Sequence, residues 1–233
     1  MRRRRLLISI GLVLGFVATI LIGLVVMVKS EPSFYTQAEM PPGQERTDMS
    51  TAAMAQYSRI LGVLDDPHWE IKFTGQQLNA FFQEQYYQVG GDENLPDDCH
   101  APRVKIEDGK MRIGFRWGTG TLSTVASAEI KFWKVPQGVN TLAMEIVSLQ
   151  AGALPIPKSF FLDKISEKAR RENIEISWYR KDGHPVAVMR FQADLTRPTF
   201  QFDRIELAGG ELRMTGRSTD LLGPPIPRVT PKQ

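Results

Sequence analysis

Cysteine is almost absent from this chain, since Cys99 is the only one among 233 residues. A single cysteine cannot form an intramolecular disulfide, which excludes the small scaffolds that disulfides hold together. Four enzyme signatures are also missing, namely G-x-S-x-G, S-x-x-K, HExxH and the calcium-binding loop. With 42% hydrophobic and 24% charged residues, the chain is nevertheless apolar enough to fold around a core.

An excess of charge of either sign is missing from most of the chain. Lys and Arg number 29 against 26 Asp and Glu, and four of the basic residues are the arginines at 2–5. Without those four, 25 basic residues face 26 acidic ones, a balance of −1. The basicity therefore belongs to the N-terminus, and the rest of the chain lacks the positive surface that nucleic-acid binding requires. We expect no nucleic-acid partner.

Charge is wholly absent between Leu6 and Val28, a stretch of 23 residues. A helix of this length measures about 34 Å, and the hydrocarbon core of a bilayer is about 30 Å thick. The stretch therefore predicts one transmembrane helix with these boundaries. A cleaved signal peptide is the alternative, because small residues around Ser30 could form a cleavage site. The apolar part of a signal peptide, however, usually has only about 7 to 15 residues.

The arginines before the span predict its orientation. Positive flanks stay in the cytoplasm, so we expect a single-pass, signal-anchored protein of the cell membrane with a cytoplasmic N-terminus. The rest of the chain would then be extracytoplasmic, in a periplasm or on the outer face. We expect four regions: an Arg tail and transmembrane helix at 1–28, a linker at 29–44, a folded domain at 45–217 and a Pro-rich tail at 218–233.

Three segments of the folded domain have a helical pattern. Apolar residues recur at spacings of three and four in segments 48–64, 74–90 and 158–171. At the start of the second segment, Thr74 and Gln77 have the spacing of a capping box, in which each side chain bonds the backbone amide of the other residue. These patterns predict three helices.

Elsewhere apolar and polar residues alternate, as in the half-buried strands of antiparallel sheets. Asp108-Gly109 and Asp182-Gly183 lie between such runs and predict hairpins. The alternation changes phase between Phe202 and Ile205, which predicts a β-bulge near Asp203. With about nine strands and no βαβ alternation, the predicted fold class is α+β, a curved antiparallel sheet covered by two or three helices.

Two segments contain residue types that chemistry could use. Asp97–His100 combines two carboxylates, a thiol and an imidazole, but adjacent residues of an extended chain point to opposite sides. Gly118–Gly120 is similar to a phosphate-binding loop but lacks the Gly-Lys-Ser/Thr that follows there. We predict a solvated loop and a bend, respectively. We therefore expect no catalytic, metal or cofactor site, no cofactor and no enzyme activity.

Large apolar side chains are the positive feature of the sequence. Most of them lie on the phase of their strands and helices that should face inward. They could form an ordinary core, or they could line a groove for an acyl chain between the curved sheet and helices that do not seal it. The candidate groove residues are Phe81, Phe82, Phe115, Trp117, Phe132, Phe160, Phe161, Phe200 and Phe202.

Three short motifs, together with the positive tail and the single span, carry a resemblance to a known family. They are FTGQQLNAFF at 73–82, the hairpin I-x-x-G-x-M-x-I at 106–113, and G-x-LPIP at 152–157. The chain resembles the membrane-anchored, uncharacterised YpmS-like proteins and, more distantly, single-domain tubular lipid-binding proteins. The resemblance covers roughly residues 69–217. It implies attachment outside the cytoplasm and, by analogy of fold, binding of a hydrophobic ligand, with no residue of known catalytic role.

Two functions follow as expectations. In the first, the chain is a membrane-tethered, extracytoplasmic module that binds a lipid or another hydrophobic ligand without catalysis, its partners being the bilayer and that ligand. In the second, the chain is a structural or interaction subunit of a cell-envelope assembly. It would then dock an envelope protein through a sheet edge or through its Pro-rich tail.

Overall fold

The fold is known from a computed structural model of the chain. It describes residues 2–61, 66–91, 95, 98–120, 123–171, 174–191 and 199–218, without the side chains at 2–11, 13, 60, 61, 160 and 161. Of the predicted Pro-rich tail, residues 219–233 lie outside the described residues.

The described elements form an α+β fold, as the sequence predicted. The helices are α1 Arg2–Lys29, α2 Ser33–Gln37, α3 Gln44–Leu61, α4 Gly75–Glu84 and α5 Ser159–Arg171. The strands are β1 His68–Thr74, β2 Cys99–Glu107, β3 Lys110–Trp117, β4 Thr124–Lys134, β5 Thr141–Ala151, β6 Leu154–Pro155, β7 Glu175–Lys181, β8 His184–Arg190, β9 Phe200–Ala208 and β10 Glu211–Ser218.

Helix α1 is the one described helix that is long and apolar enough to cross a membrane. Its large side chains described between Leu12 and Met27 are exposed, and its last turn contacts the folded domain through Met27 and Val28. A soluble protein would bury such a surface, so α1 fits the predicted single-pass membrane anchor.

The strands form two antiparallel sheets. The larger has seven strands in the order β2-β3-β4-β5-β8-β7, with the short β6 paired to the end of β5. The smaller has three strands in the order β1-β10-β9. The pairing of distant strands β1 and β10 closes the small sheet, so the fold joins the start of the folded domain to its end.

The alternation of apolar residues gives the large sheet an apolar inner face. Its strand register places Phe115, Ala126 and Ala151 in one row across β3, β4 and β5, and Ile113, Ala128 and Leu149 in the next row. Met111, Ile130 and Ile146 form a third row after a β-bulge in the pairing of β4 with β5. The other, outer face carries polar residues such as Arg112 and Glu129, which form an ion pair.

Helix α4 and the small sheet pack together on part of this inner face. The capping box that the sequence predicted starts α4, with Thr74 accepting from the amide of Gln77 and Gln77 accepting from that of Thr74. Leu78 and Phe82 of α4 then pack with Leu207 of the small sheet against the apolar residues of β2, β3 and β4. The core therefore lies between the two sheets, with α4 inside it.

Residues of the segment predicted as a linker, 29–44, are folded onto the outer face. Phe34 and Tyr35 of the short helix α2 are buried, and Tyr35 donates a hydrogen bond from its hydroxyl to the carbonyl of Ala101 at 2.7 Å. Gly114 of β3 leaves room for the Tyr35 ring, which a side chain at that position would meet. This segment connects α1 to the folded domain by contact as well as by sequence.

The hairpin predictions are confirmed in the structure. Asp182 and Gly183 both have positive φ, 51° and 77°, as a tight two-residue hairpin turn between right-twisted strands requires. The predicted bulge is present at Asp203, because Thr215 pairs with Arg204 while the next residue of β10 pairs with Phe202.

Candidate apolar ligand site

The inner face of the large sheet is longer than the elements that cover it. Helix α4 and the small sheet pack against the row of Ile106, Met111 and Ile130, and this row belongs to a packed cluster. The row of Ile113 and Ala128 borders that cluster and the row of Phe115 lies beyond it, where Ile165 of α5 approaches. A cavity remains at this place because one helix cannot fill the width of three strands.

We name this cavity the slot. It has a volume of about 270 Å³ and is partly open to the outside. Nine of its eleven lining residues are apolar, the others being Ser127 and Cys99. The lining residues are Cys99, Ile113, Phe115, Ala126, Ser127, Ala128, Ile130, Met144, Ile146, Leu149 and Ile165. With no ionisable carboxylate, imidazole or amine in this set, the slot can hold an apolar group and has no means of binding a charged one.

Small residues on β4 create the space of the slot. Ala126 and Ala128 occupy the two inward positions of β4 between Phe115 and Ile113 on one side and Leu149 on the other. Alanine fills much less volume than the leucine or isoleucine typical of such positions. The side chains of Ala126 and Ala128 therefore leave space above the inner face of the sheet. The signal in the sequence was the alternating pattern T-V-A-S-A at 124–128, which carries small residues on its inward phase.

The slot lies at the end of the large sheet that contacts α1. Thr124, at the start of β4, donates a hydrogen bond to the carbonyl of Val28, and the amide of Ala153 donates to the carbonyl of Met27 at 2.8 Å. Lys29 donates to the carbonyl of Ser123 at 3.1 Å. We call this the α1 end of the sheet. The row of Phe115 is only two residues further along the strands.

The nine predicted groove residues are distributed over several places. Phe115 lines the slot, and Trp117 lies at the α1 end on the same strand face. Phe82 and Phe132 belong to the cluster between the sheets. Phe81, Phe200 and Phe202 pack around Trp69 on the small sheet and α4. The side chains of Phe160 and Phe161 lie outside the described residues.

Most of the residues that form the slot were not among the sequence candidates. The sequence reasoning selected large aromatic side chains, and large side chains fill space rather than leave it. Several of the described candidates pack on each other, for example Phe200 with Phe202 at a ring separation of 5.2 Å. Aliphatic residues such as Ile146, Leu149 and Ile165 line the cavity instead.

The thiol and the imidazole that the sequence analysis considered do not meet. Cys99 pairs with Trp117 and His100 with Arg116 on neighbouring strands, so consecutive residues of β2 face opposite sides of the sheet. Asp97 lies outside the described residues. Among the described residues no cluster of His, Cys, Asp and Glu has the arrangement of a metal site. Gly118 and Gly120 have positive φ, as expected of a bend.

Charged groups near the α1 end lie on the outer face, away from the slot. Arg116 forms an ion pair with Glu31 at 2.7 Å, and this hydrogen bond raises the pKa of Arg116 although partial burial works against it. Arg103 stacks on the ring of Tyr35, 4.4 Å from its centroid, and also donates to the carbonyl of Tyr35. These contacts hold residues 31–35 on the outer face of the sheet.

A larger cleft, of about 640 Å³, lies between residues 37–41, the start of α4 and β2. Its lining includes Lys105 together with Glu39, Glu45 and Glu211, so charges of both signs face it. A mixed lining of this kind is typical of a solvated surface cleft. The slot is smaller, but its uniform chemistry makes it the better candidate for a ligand site.

Comparisons with known proteins add no relationship to this description. No family model matches the chain, and neither a curated protein nor a solved structure matches it significantly.

Proposed function

We propose that the chain is a membrane-tethered module that holds the acyl chain of a lipid, or a similar hydrophobic ligand, in the slot. The observation that carries the proposal is the slot itself, a partly open cavity of about 270 Å³ with an apolar lining next to the end of an apolar helix. A lining without charged groups supports holding a ligand rather than converting it.

The size of the slot suits a segment of an alkyl chain. An engineered apolar cavity of roughly 150 Å³ binds benzene, so a cavity of about 270 Å³ accepts a longer apolar group. Each methylene that leaves water contributes about 0.8 kcal/mol, so an alkyl segment of about six methylenes gains roughly 5 kcal/mol before the costs of binding. Binding of this strength is reversible, as an exchange of lipid with a bilayer requires.

The tether makes modest affinity sufficient. A site attached to a bilayer experiences lipid at a high effective concentration, because the ligand cannot diffuse away in three dimensions. The arginines at 2–5 favour a cytoplasmic N-terminus. On this proposal the folded domain is extracytoplasmic and takes lipid from the leaflet it faces.

Native mass spectrometry of the full chain tests the proposal. The chain released from detergent micelles should carry lipid masses, and the variant Ala128→Phe should lose them because a phenyl ring fills the slot. Lys131→Phe is the matched control, since it adds the same ring to an exposed position of the same strand. Bare protein from the wild type, or equal lipid retention by both variants, would contradict the proposal.

A second candidate function is a subunit that docks an envelope protein by strand addition at β7. The supporting observation is that β7 forms the outer edge of the described large sheet, with Tyr179 61% exposed. A partner that cross-links to the wild type and to Val139→Lys, but not to Tyr179→Lys, would favour this function. The Pro-rich tail, the other predicted docking segment, lies beyond the described residues.

A further inference from the structure

The α1 end of the large sheet exposes apolar side chains. Outside α1, six large hydrophobic side chains are exposed among the described residues, and three of them lie at this end: Tyr87, Val89 and Trp117. Trp117 is 41% exposed, Tyr87 45% and Val89 44%. Single exposed apolar residues need no explanation, but three on neighbouring loops of one end form a surface.

Hydrogen bonds connect Trp117 and Tyr87 to the strands at the α1 end. Trp117 pairs with Thr124, whose hydroxyl donates to the carbonyl of Val28. On its other side Trp117 pairs with Cys99, at the start of the strand whose Ala101 amide donates to the hydroxyl of Tyr87 at 2.7 Å. Val89 follows two residues after Tyr87. The surface is therefore fixed at the level where the apolar part of α1 ends.

The opposite end of the large sheet has a different character. Its described turns include Asp108-Gly109 and the turn at 135–140, which contains Pro136, Gln137 and Gly138. Val139, 38% exposed, is the only exposed large apolar residue described there. Among the described residues, exposed large apolar side chains are therefore more numerous at the end of the sheet from which α1 leaves.

We propose that the α1 end of the folded domain is a lipid-contact surface, seated in the headgroup layer of the bilayer that α1 crosses. Tryptophan and tyrosine prefer this layer, because their rings are apolar and their polar atoms remain hydrated. Lys29 lies at the same level, where its ammonium group donates to the carbonyl of Ser123. The occupant of the surface is the bilayer itself, since α1 continues into it from the same contacts.

This surface fixes the orientation of the slot. The row of Phe115 and Ala126 lies two residues along strands β3 and β4 from the pair of Trp117 and Thr124. Each residue of a strand spans about 3.3 Å. The slot therefore begins within about 7 Å of the contact surface. A lipid chain can reach it without crossing bulk water. The contact surface does not depend on the slot being occupied, so it extends the proposed function without requiring it.

Depth-dependent quenching of tryptophan fluorescence tests the contact. The full chain is reconstituted in vesicles of phosphatidylcholine and phosphatidylglycerol that carry a spin label near the headgroup. Quenching should fall about twofold or more in Trp117→Phe, because the ring at the interface is removed. Trp133→Phe is the control. Trp133 lies nine residues along β4 from Thr124, about 30 Å from the α1 end. Equal quenching losses in the two variants would overturn the proposal.

A second pair of variants leaves every tryptophan in place. Val89→Asp puts a charge into the contact surface, and Val139→Asp puts the same charge on the opposite end; both valines are exposed, so neither change disturbs packing. Quenching should fall in Val89→Asp alone, and equal effects would contradict the contact. Lipid retention in native mass spectrometry is measured on the same samples. Quenching that persists without retained lipid would reject the slot function and keep the contact surface.

Discussion

Two buried asparagines use their side-chain amides to form the hydrogen bonds that a neighbouring strand would otherwise form with the backbone. The side chain of Asn79 on α4 donates to the carbonyl of Val104 and accepts from its amide, both at 2.8 Å, and so pairs with the edge of β2. Asn140 does the same for β9, donating to the carbonyl of Phe200 and accepting from the amide of Phe202. Buried backbone groups need such partners. Each asparagine therefore holds an edge strand of one of the two described sheets.

The variant Asn79→Ala should destabilise the protein by about 2 to 4 kcal/mol, because it leaves the buried amide and carbonyl of Val104 unpaired. Chemical unfolding of the full chain in micelles measures the change. Gln76→Ala, at an exposed position of the same helix, is the control and should change stability by less than about 0.5 kcal/mol. A similar small effect of both variants would show that water or a rearranged side chain replaces Asn79.

Glu107 gives the protein a pH dependence in acid. Burial alone would raise its pKa, but the hydrogen bond from Lys105 and the charges of Arg112 and Lys110 together hold the pKa below its ordinary 4.5. The folded state thus binds fewer protons than the unfolded state. The stabilisation is complete above pH 4.5 and is lost as the pH falls through the folded-state pKa.

Glu107→Gln should therefore remove part of the acid dependence of stability. The pair groups are partly exposed, so we expect a loss of less than about 1 kcal/mol at neutral pH, which disappears once the pH is below the folded-state pKa of Glu107. Unfolding free energies of both proteins at several pH values measure this difference. A constant difference across the pH range would contradict the assigned ion pairs.

Features that depend on neighbouring residues in the sequence could be predicted from the sequence. The capping box of Thr74 and Gln77 and the bulge at Asp203 follow from residues close in sequence, and both are present. The role of Asn79 could not be predicted, because Val104 is 25 residues away and only the folded chain places it beside α4. The sequence marked Asn79 only as part of a family-like motif.

At the scale of elements, the junction between α1 and the folded domain determines where the domain lies relative to the end of α1. Backbone and side-chain hydrogen bonds at Met27, Val28 and Lys29 join the last turn of α1 to the ends of β4 and β5. The free carbonyls of a helix C-terminus need such donors. The domain is thereby held at a defined place beside the end of α1 rather than on a free linker.

The variant Gly152→Ala should open this junction. Gly152 has φ of 61°, and a side chain there would collide with the carbonyls of Met27 and Val28. Gly209→Ala is the matched control, with φ of 59° and open space around it, so it experiences only the strain of about 1 kcal/mol of a left-handed conformation. Hydrogen exchange of the Ala153 amide should accelerate about tenfold or more in Gly152→Ala only. Unchanged exchange would contradict the junction.

The sequence predicted which segments form helices and strands better than it predicted how those segments pack against one another. Periodicity identified the three helices and the hairpins because these patterns depend on a few residues in sequence. Segment 29–44 was predicted as a linker from its Pro and polar residues, yet Phe34 and Tyr35 pack on the outer face. The space for Tyr35 is provided by Gly114, almost 80 residues away, and no local pattern contains that information.

For the whole molecule, the slot exists because the inner face of the large sheet extends beyond helix α4 and the small sheet that pack on it. Helix α4 and the small sheet pack on one part of the inner face, and Ile165 of α5 approaches another part, at the slot. The sequence predicted a sheet covered by helices with an apolar groove as one outcome. It could not predict where the cover ends, because that depends on the pairing of β1 with β10, which lie more than 130 residues apart.

The measurement that tests the account most directly is photo-crosslinking within the membrane. The full chain is reconstituted with a phospholipid that carries a diazirine in its acyl chain, irradiated, digested and mapped by mass spectrometry. Helix α1 serves as an internal standard, since lipid surrounds it in any case. We predict additional labelling of the slot residues Phe115, Ala128 and Leu149, reduced in Ala128→Phe while that of α1 is unchanged. Labelling of α1 without labelling of the slot would contradict the account.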